Sequence, residues 1–226
     1  MNKSAATFLF AVLAALCVTS CGPDKQSSVP ERTADDVAGA QTSASLSQSL
    51  PVHVRTLVEA TRARTSIGEI YDPSYFTIPY PGGDVPNDRG VCTDVVVRAY
   101  RVIGIDLQVQ VHEDMRANFK LYPKLWGLRG TDRSIDHRRV PNLETFLQRK
   151  GAALPPTNSA GDYKPGDLVT WRLNNNLPHI GIVSDRRVPR SDRPLILHNI
   201  GGGTSEDDIL FSYPVVGHFR YYPDGT

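Results

Sequence analysis

A chain of 226 residues has room for one mid-sized domain with appendages, and its 40% hydrophobic and 22% charged residues are typical of globular proteins. The formal net charge of +1 excludes the strongly basic surface that nucleic-acid-binding proteins carry. No nucleic-acid partner is therefore expected.

Residues 1–21 resemble a bacterial signal peptide with a lipobox. Met1-Asn2-Lys3 gives a positive start, and the apolar run from Phe8 to Val18 is too short to span a bilayer comfortably. Small residues before Cys21 predict that this cysteine carries lipid, and an ordinary signal peptide cut nearby is the alternative. Gly22 after the cysteine favours the outer membrane in the usual bacterial sorting pattern. We expect a periplasm-facing lipoprotein of the cell envelope.

Residues 22–50 predict a flexible tether. The stretch is rich in Ser, Gln, Ala, Thr, Asp and Pro and has no aromatic residue, so it cannot bury enough apolar surface to order itself. Residues 51–226 then form a single domain. With Cys17 removed and Cys21 lipidated, Cys92 is the one thiol of the mature protein, which excludes an intramolecular disulfide.

The stretch from Arg89 to Val96 predicts the start of a helix that carries Cys92. Five residues recur at the spacing of one helical face, namely Cys92, Val95, Val96, Ala99 and Ile103. A helix N-terminus stabilises anions, so we expect the thiol to lean towards thiolate, the nucleophilic form. A buried, inert cysteine is the alternative.

Other helices and loops follow from periodicity and from glycine and proline positions. Asp132–Arg139 is strongly charged and predicts a solvated surface segment. The remaining expectations are a helix over Val52–Ile67 stopped by Gly68, an irregular loop over Tyr71–Gly90, a helix near Val111–Leu121 and a short helix from Pro141 to Lys150.

The chain after Gly151 predicts strands. Turn signals at Lys164–Asp167 and Asn174–Asn176 punctuate short apolar runs. The predicted strands are Leu168–Trp171, His179–Val183, Leu195–Asn199 and Val215–Tyr222, with an acidic loop over Ser205–Asp208. Helices followed by an antiparallel meander predict an α+β domain.

Two of the six histidines differ from the rest. His179 begins one predicted strand and His198 ends the next, so a hairpin would bring their side chains together at one end of the sheet, where the Cys92 helix could pack. Two unrelated strand-end histidines are the alternative. Surface positions are expected for His53, His112 and His137, and a core or edge position for His218.

These motifs resemble the NlpC-type branch of the papain-fold cysteine peptidases. The shared features are a cysteine that opens a helix, Pro165-Gly166-Asp167-Leu168 before a strand, and His179-Ile180-Gly181-Ile182-Val183. The resemblance implies N-terminal helices, including the Cys-bearing helix, packed on a small antiparallel sheet. The stretch GVCTDVVVRAYR also resembles a group of uncharacterised bacterial envelope proteins in or near this superfamily.

The resemblance implies a role for each matching residue. Cys92 would be the nucleophile, His179 the base and His198 the orienting residue, with Asn199 as the alternative third member. Tyr80, before a Gly-Gly pair, matches the tyrosine that helps polarise the oxyanion site in many members.

The chain departs from the family at two places. Cys-Ser-Gly is usual where this chain has Cys92-Thr93-Asp94, and Asp94 either caps the helix or contacts substrate. The segment from Gly104 to Pro156 is longer than usual and carries Trp126, a candidate substrate contact. Three basic residues in this segment either line a groove for an acidic peptide or face water, and we favour water for most of them: Arg133, Arg138 and Arg139.

The sequence therefore predicts a cell-envelope cysteine hydrolase, an amidase or endopeptidase that acts on peptidoglycan stem peptides without a cofactor. A non-catalytic envelope lipoprotein that binds peptide or glycan is the main alternative. A zinc hydrolase with Cys92, His179 and His198 as ligands ranks last, because no local metal-binding spacing supports it. The oligomeric state is not predicted.

Overall fold

The computed structural model describes residues 49–223. The predicted signal peptide, Cys21 with its predicted lipid and nearly all of the predicted tether lie outside these residues. Within them, no helix combines the length and the apolar character that crossing a membrane requires.

Within residues 52–223, four α-helices precede most of the sheet. The second helix begins at Cys92, as predicted, and the helix predicted near Val111 begins one turn earlier because the side chain of Asp106 accepts a hydrogen bond from the Gln108 N–H at 3.0 Å. Gly104, at a φ of 83°, ends the second helix in the left-handed region that favours glycine. The helices are α1 (Val52–Ala63), α2 (Cys92–Val102), α3 (Leu107–Ala117) and α4 (Val140–Arg149).

Six strands form one antiparallel sheet. In their order across the sheet they are β3 (Ala153–Leu154), β8 (Val215–Phe219), β4 (Leu168–Arg172), β5 (Pro178–Arg187), β6 (Pro194–Asn199) and β7 (Thr204–Asp207). The α+β prediction is confirmed. The predicted meander is wrong, because the last strand, β8, lies between β3 and β4 instead of next to β6.

Two features of the strands were wrong or absent in the sequence prediction. The predicted acidic loop is strand β7, whose residues pair with β6 in the register His198 to Ser205. A separate two-stranded parallel sheet joins β1 (Ile70–Tyr71) to β2 (Arg89–Gly90), inside the stretch predicted to be an irregular loop. This small sheet brings Tyr71 opposite Gly90, two residues before Cys92.

The core lies on both faces of the sheet. Helix α2 packs on β5 and β6 and also against α1, and it is buried from Cys92 to Tyr100. Leu168, Ile180 and Ile182 face the helices, whereas Val169 and Trp171 face a smaller apolar cluster on the other side, as the twofold alternation of a strand requires. The thiol-bearing helix is therefore fixed firmly against the sheet.

The prediction that Asp132–Arg139 is a solvated surface segment is wrong. Its residues Asp136, His137 and Arg138 form a buried 3₁₀ turn. His112 is also buried and its Nδ1 lies 2.9 Å from Asp136 Oδ2, so the surface positions expected for His112 and His137 are wrong as well. Burial of Arg138 is tolerated because its guanidinium pairs with the Asp94 carboxylate.

Candidate active site

Cys92 is the first residue of α2 and is 5% exposed. The backbone N–H groups of Ile180 on β5 and of Thr93 and Cys92 at the helix start act to lower the pKa of its thiol. Ile180 directly follows His179 on β5, the strand on which α2 packs.

Burial, with a smaller contribution from the Asp94 carboxylate, raises the pKa of the Cys92 thiol to about 12, although the neighbouring N–H groups act to lower it. The expectation that the helix N-terminus would favour the thiolate is therefore wrong. Removal of a thiolate from water costs more free energy than its interaction with the N–H groups of the helix start supplies. The resting cysteine is a neutral thiol.

His179 and His198 face each other across the hairpin of β5 and β6. Nε2 of His179 lies 3.0 Å from Nδ1 of His198, and both rings are buried. Gly181 leaves room for this contact, because a Cβ there would lie 2.7 Å from Ile196 Cγ2 and 3.1 Å from His198 Cβ. The predicted proximity of the two histidines is confirmed.

Both histidines are held neutral by burial. Burial, with a smaller contribution from His198, lowers the pKa of His179 to about 3. Burial also lowers the pKa of His198, although the Asp207 carboxylate acts in the opposite direction. Asn199, the alternative third member, bonds to the N–H of Gly201 and to the carbonyl of Gly90 instead of to His179.

Asp207, at the end of β7, is a site residue that the sequence interpretation missed. Its Oδ2 lies 3.2 Å from Nε2 of His198. We call His179, His198 and Asp207 the histidine chain. The pairing of His198 with Ser205, two residues before Asp207, could have revealed it. The three acidic residues from Glu206 to Asp208 suggested a loop instead, because Gly201-Gly202-Gly203 precedes them.

Tyr80 does not lie where the resemblance placed it. Its hydroxyl donates to Glu113 Oε1 at 3.3 Å and its ring contacts His112, on α3 rather than beside Cys92. Tyr71 lies near the cysteine instead, since it pairs with Gly90, and the pKa of its hydroxyl is raised first by burial and also by the Asp94 carboxylate. The correction arises because β1, not the Tyr80 loop, pairs with the strand before the cysteine.

Asp94 is a structural residue of the helix start. Its Oδ2 accepts a hydrogen bond from the Val91 N–H at 2.8 Å, and Arg138 donates to Oδ1 at 2.8 Å and to Oδ2 at 3.0 Å. The two side chains are only 3% and 2% exposed. We call Val91, Asp94 and Arg138 the helix-start clamp. It supports the capping role of Asp94 over substrate contact, and it corrects the solvated position expected for Arg138.

Trp126 is 61% exposed and lies over the guanidinium of Arg139, 5.0 Å from ring centre to Cζ. It lines a groove of about 590 Å³ that extends to Pro178, the residue before His179. Three of the four non-glycine residues with positive φ between residues 49 and 223 line this groove: Trp126, Asn175 and Asn176. Such backbone conformations concentrate at functional sites.

Within residues 49–223, no three histidine, cysteine or acidic side chains are gathered closely enough to hold a metal ion. The described chain thus combines an α+β fold with a buried thiol at a helix start and a histidine pair on the adjoining strands.

Comparison with known proteins identifies the family. The chain belongs to the DUF1287 family, a domain of unknown function, whose model matches residues 58–221. It is 52% identical over 168 residues to the uncharacterized protein YijF of Escherichia coli strain K12, covering 74% of this chain and 82% of that protein. It is also similar to the structure of NlpC1 from Trichomonas vaginalis, with a TM-score of 0.40 and 18% identity over 75% of this chain and 44% of that one.

Proposed function

We propose that this protein is a cysteine hydrolase of the bacterial cell envelope with a papain-like, NlpC-type arrangement. The observation that carries the proposal is the position of Cys92 at a buried helix start that packs on β5, the strand that carries His179, whose Nε2 lies 3.0 Å from Nδ1 of His198. A nucleophile, a base and a residue that orients the base are the three parts that such catalysis needs.

The reaction starts from a neutral thiol and a neutral imidazole, because burial raises the pKa of Cys92 and lowers that of His179. Proton transfer therefore accompanies attack on the substrate. The Cys92 sulfur bonds to the carbonyl carbon of an amide while His179 takes the thiol proton at Nδ1, the ring nitrogen that His198 does not contact.

The helix start supplies the oxyanion donors. We assign this role to the N–H groups of Cys92 and Thr93, because the first N–H groups of a helix have no intrahelical acceptor and would face the oxygen of the carbonyl that the sulfur attacks. Tyr71 takes the place that the resemblance gave to Tyr80. His179 then returns the proton to the amine as the C–N bond breaks, and a water molecule that His179 deprotonates hydrolyses the thioester to a carboxylate and the free thiol.

The proposed substrate is a peptidoglycan stem peptide, cut either at a peptide bond or at the sugar–peptide amide. Support comes from the family resemblance of the motifs and from the lipobox-like residues 1–21, which would anchor the domain at Cys21 in the outer membrane, facing the periplasm. The groove that runs from Trp126 to Pro178 is the proposed path of the substrate towards His179.

Digestion of purified sacculi tests the function. We expect the full-length protein to release muropeptide fragments that liquid chromatography with mass spectrometry resolves, and we expect the Cys92→Ala variant to release none. The fragment masses identify the bond that is cut. Identical digests from the two proteins, both folded by circular dichroism, would overturn the proposal.

A non-catalytic binding protein is the second candidate, because a buried thiol with a raised pKa is also what an inert cysteine shows. That function predicts that the wild type and Cys92→Ala bind sacculi equally in sedimentation assays and that neither releases fragments. Trp126→Ala should weaken sedimentation under either function, whereas release of fragments by the wild type alone contradicts the binding function.

A further inference from the structure

The histidine chain ends on a carboxylate that the triad does not include. His198 is fully buried and uses both ring nitrogens, Nδ1 towards His179 at 3.0 Å and Nε2 towards Asp207 Oδ2 at 3.2 Å. The Asp207 side chain is 49% exposed, and Ser205 Oγ donates to the same oxygen at 2.5 Å. The chain thus runs from the buried site to solvent.

The positions of the protons along this chain follow from the donors and acceptors. An ionised carboxylate only accepts hydrogen bonds, so Nε2 of His198 carries the proton that faces Asp207. A neutral imidazole has one N–H, so Nδ1 of His198 is an acceptor. The hydrogen between the two rings must then sit on Nε2 of His179, which leaves Nδ1 of His179 with a free lone pair.

We propose that Asp207 is a positioning residue that selects the tautomers of His198 and His179, so that His179 Nδ1 is the base for the Cys92 thiol. With the opposite tautomers, His179 would present an N–H at Nδ1 and could not accept a proton there. This inference rests on the proposed hydrolase function, and Asp207 itself touches neither the substrate nor the reacting atoms.

Asp207 also favours the proton transfer itself. When His179 takes the thiol proton at Nδ1, its Nε2–H remains a donor to His198, and the Nε2–H of His198 remains a donor to the carboxylate. No further proton has to move. The negative charge of Asp207 then stabilises the imidazolium through the intervening ring, as a buried carboxylate does for a base in direct contact.

Asp207→Asn tests the inference, because an amide can donate as well as accept and so no longer selects one tautomer. We expect kcat for muropeptide hydrolysis to fall about 100-fold, within the contribution of a positioned general base, with KM unchanged. The matched control is Asp208→Asn, since Asp208 pairs with Arg193 and not with His198. Asp207→Glu, which restores the carboxylate, should recover part of kcat.

Ring nitrogen chemical shifts of the ¹⁵N-histidine-labelled full-length protein in detergent give a readout independent of activity. We expect Nε2–H on both His179 and His198 in the wild type and Asp208→Asn, and an altered tautomer distribution in Asp207→Asn. A wild type with Nδ1–H on His198, or tautomers unchanged by Asp207→Asn, would overturn the inference. Equal sacculus digests by wild type and Cys92→Ala would instead overturn the hydrolase function, and the shifts would still decide the role of Asp207.

Discussion

The helix-start clamp and the histidine chain hold the two halves of the site in different ways. The clamp joins Asp94 to Arg138 in a fully buried ion pair, across 44 positions of sequence, with both oxygens of the carboxylate bonded. The histidine chain contains no buried ion pair, because burial keeps His179 and His198 neutral, and its single carboxylate is half-exposed. The cysteine side is thus fixed by charge, and the base side by tautomers and close packing.

Arg138→Met should have the largest effect on stability. It leaves the Asp94 carboxylate buried without its partner, which costs about 3–5 kcal/mol of unfolding free energy, measured by urea denaturation. The matched control is Arg133→Met, an exposed arginine, for which a change within about 0.5 kcal/mol is expected.

The double variant Asp94→Asn/Arg138→Met separates loss of charge from loss of packing. It removes both buried charges but keeps an oxygen that can cap the Val91 N–H. We expect it to be more stable than Arg138→Met alone, with a coupling of about 0.5–3 kcal/mol between the two positions. Additive losses would mean that the clamp does not act through its ion pair.

Gly181→Ala tests whether close packing holds the histidine side. The added methyl group would lie 2.7 Å from Ile196 Cγ2, so the hairpin must shift at a cost of about 1–3 kcal/mol. The same shift separates the rings of His179 and His198. The loss in kcat for hydrolysis, expressed as a free energy, should therefore exceed the loss in unfolding free energy. Gly130→Ala, where a methyl group meets nothing within 4 Å, is the matched control. Unchanged activity in Gly181→Ala would contradict the packing role.

The sequence predicted the elements whose determinants are local. The Cys92 face follows from helical spacing, and the meeting of His179 with His198 follows from two apolar runs joined by one charged connection. Both patterns lie within a few residues of the side chains concerned. Each could therefore be found without knowledge of distant partners.

The sequence failed where a partner lies far along the chain. Arg138 looks like a surface residue until its ion pair with Asp94 is known, and the thiol of Cys92 looks activated until its complete burial is known. Tyr71 was missed because a two-residue parallel pairing with Gly90, rather than a motif, brings it near the cysteine. Burial and long-range pairing are properties of the whole fold, and no local pattern reports them.

The smallest expected effect is the loss of stability at acidic pH, which shows whether the buried histidines are neutral or charged. Burial lowers the pKa of His179 to about 3 and that of His137 to about 4, so both take up a proton on unfolding wherever the pH lies below about 6.5 and above these values. The unfolded state binds more protons in that window. Stability should therefore fall as pH falls from 6.5, by up to about 1.4 kcal/mol per pH unit for each histidine.

Urea denaturation of the wild type, His137→Gln and His179→Gln between pH 7 and pH 5 measures this dependence. Each variant should be less stable than the wild type at pH 7 but should lose less stability on acidification, because one fewer group binds a proton on unfolding. His179→Gln is the informative case, since a charged His179 paired with a Cys92 thiolate would instead lose its stabilising contact as the pH rises. If unfolding free energy changes with pH equally in His179→Gln and in the wild type, His179 is not held neutral by burial. The cysteine side and the base side would then not differ in the way described above.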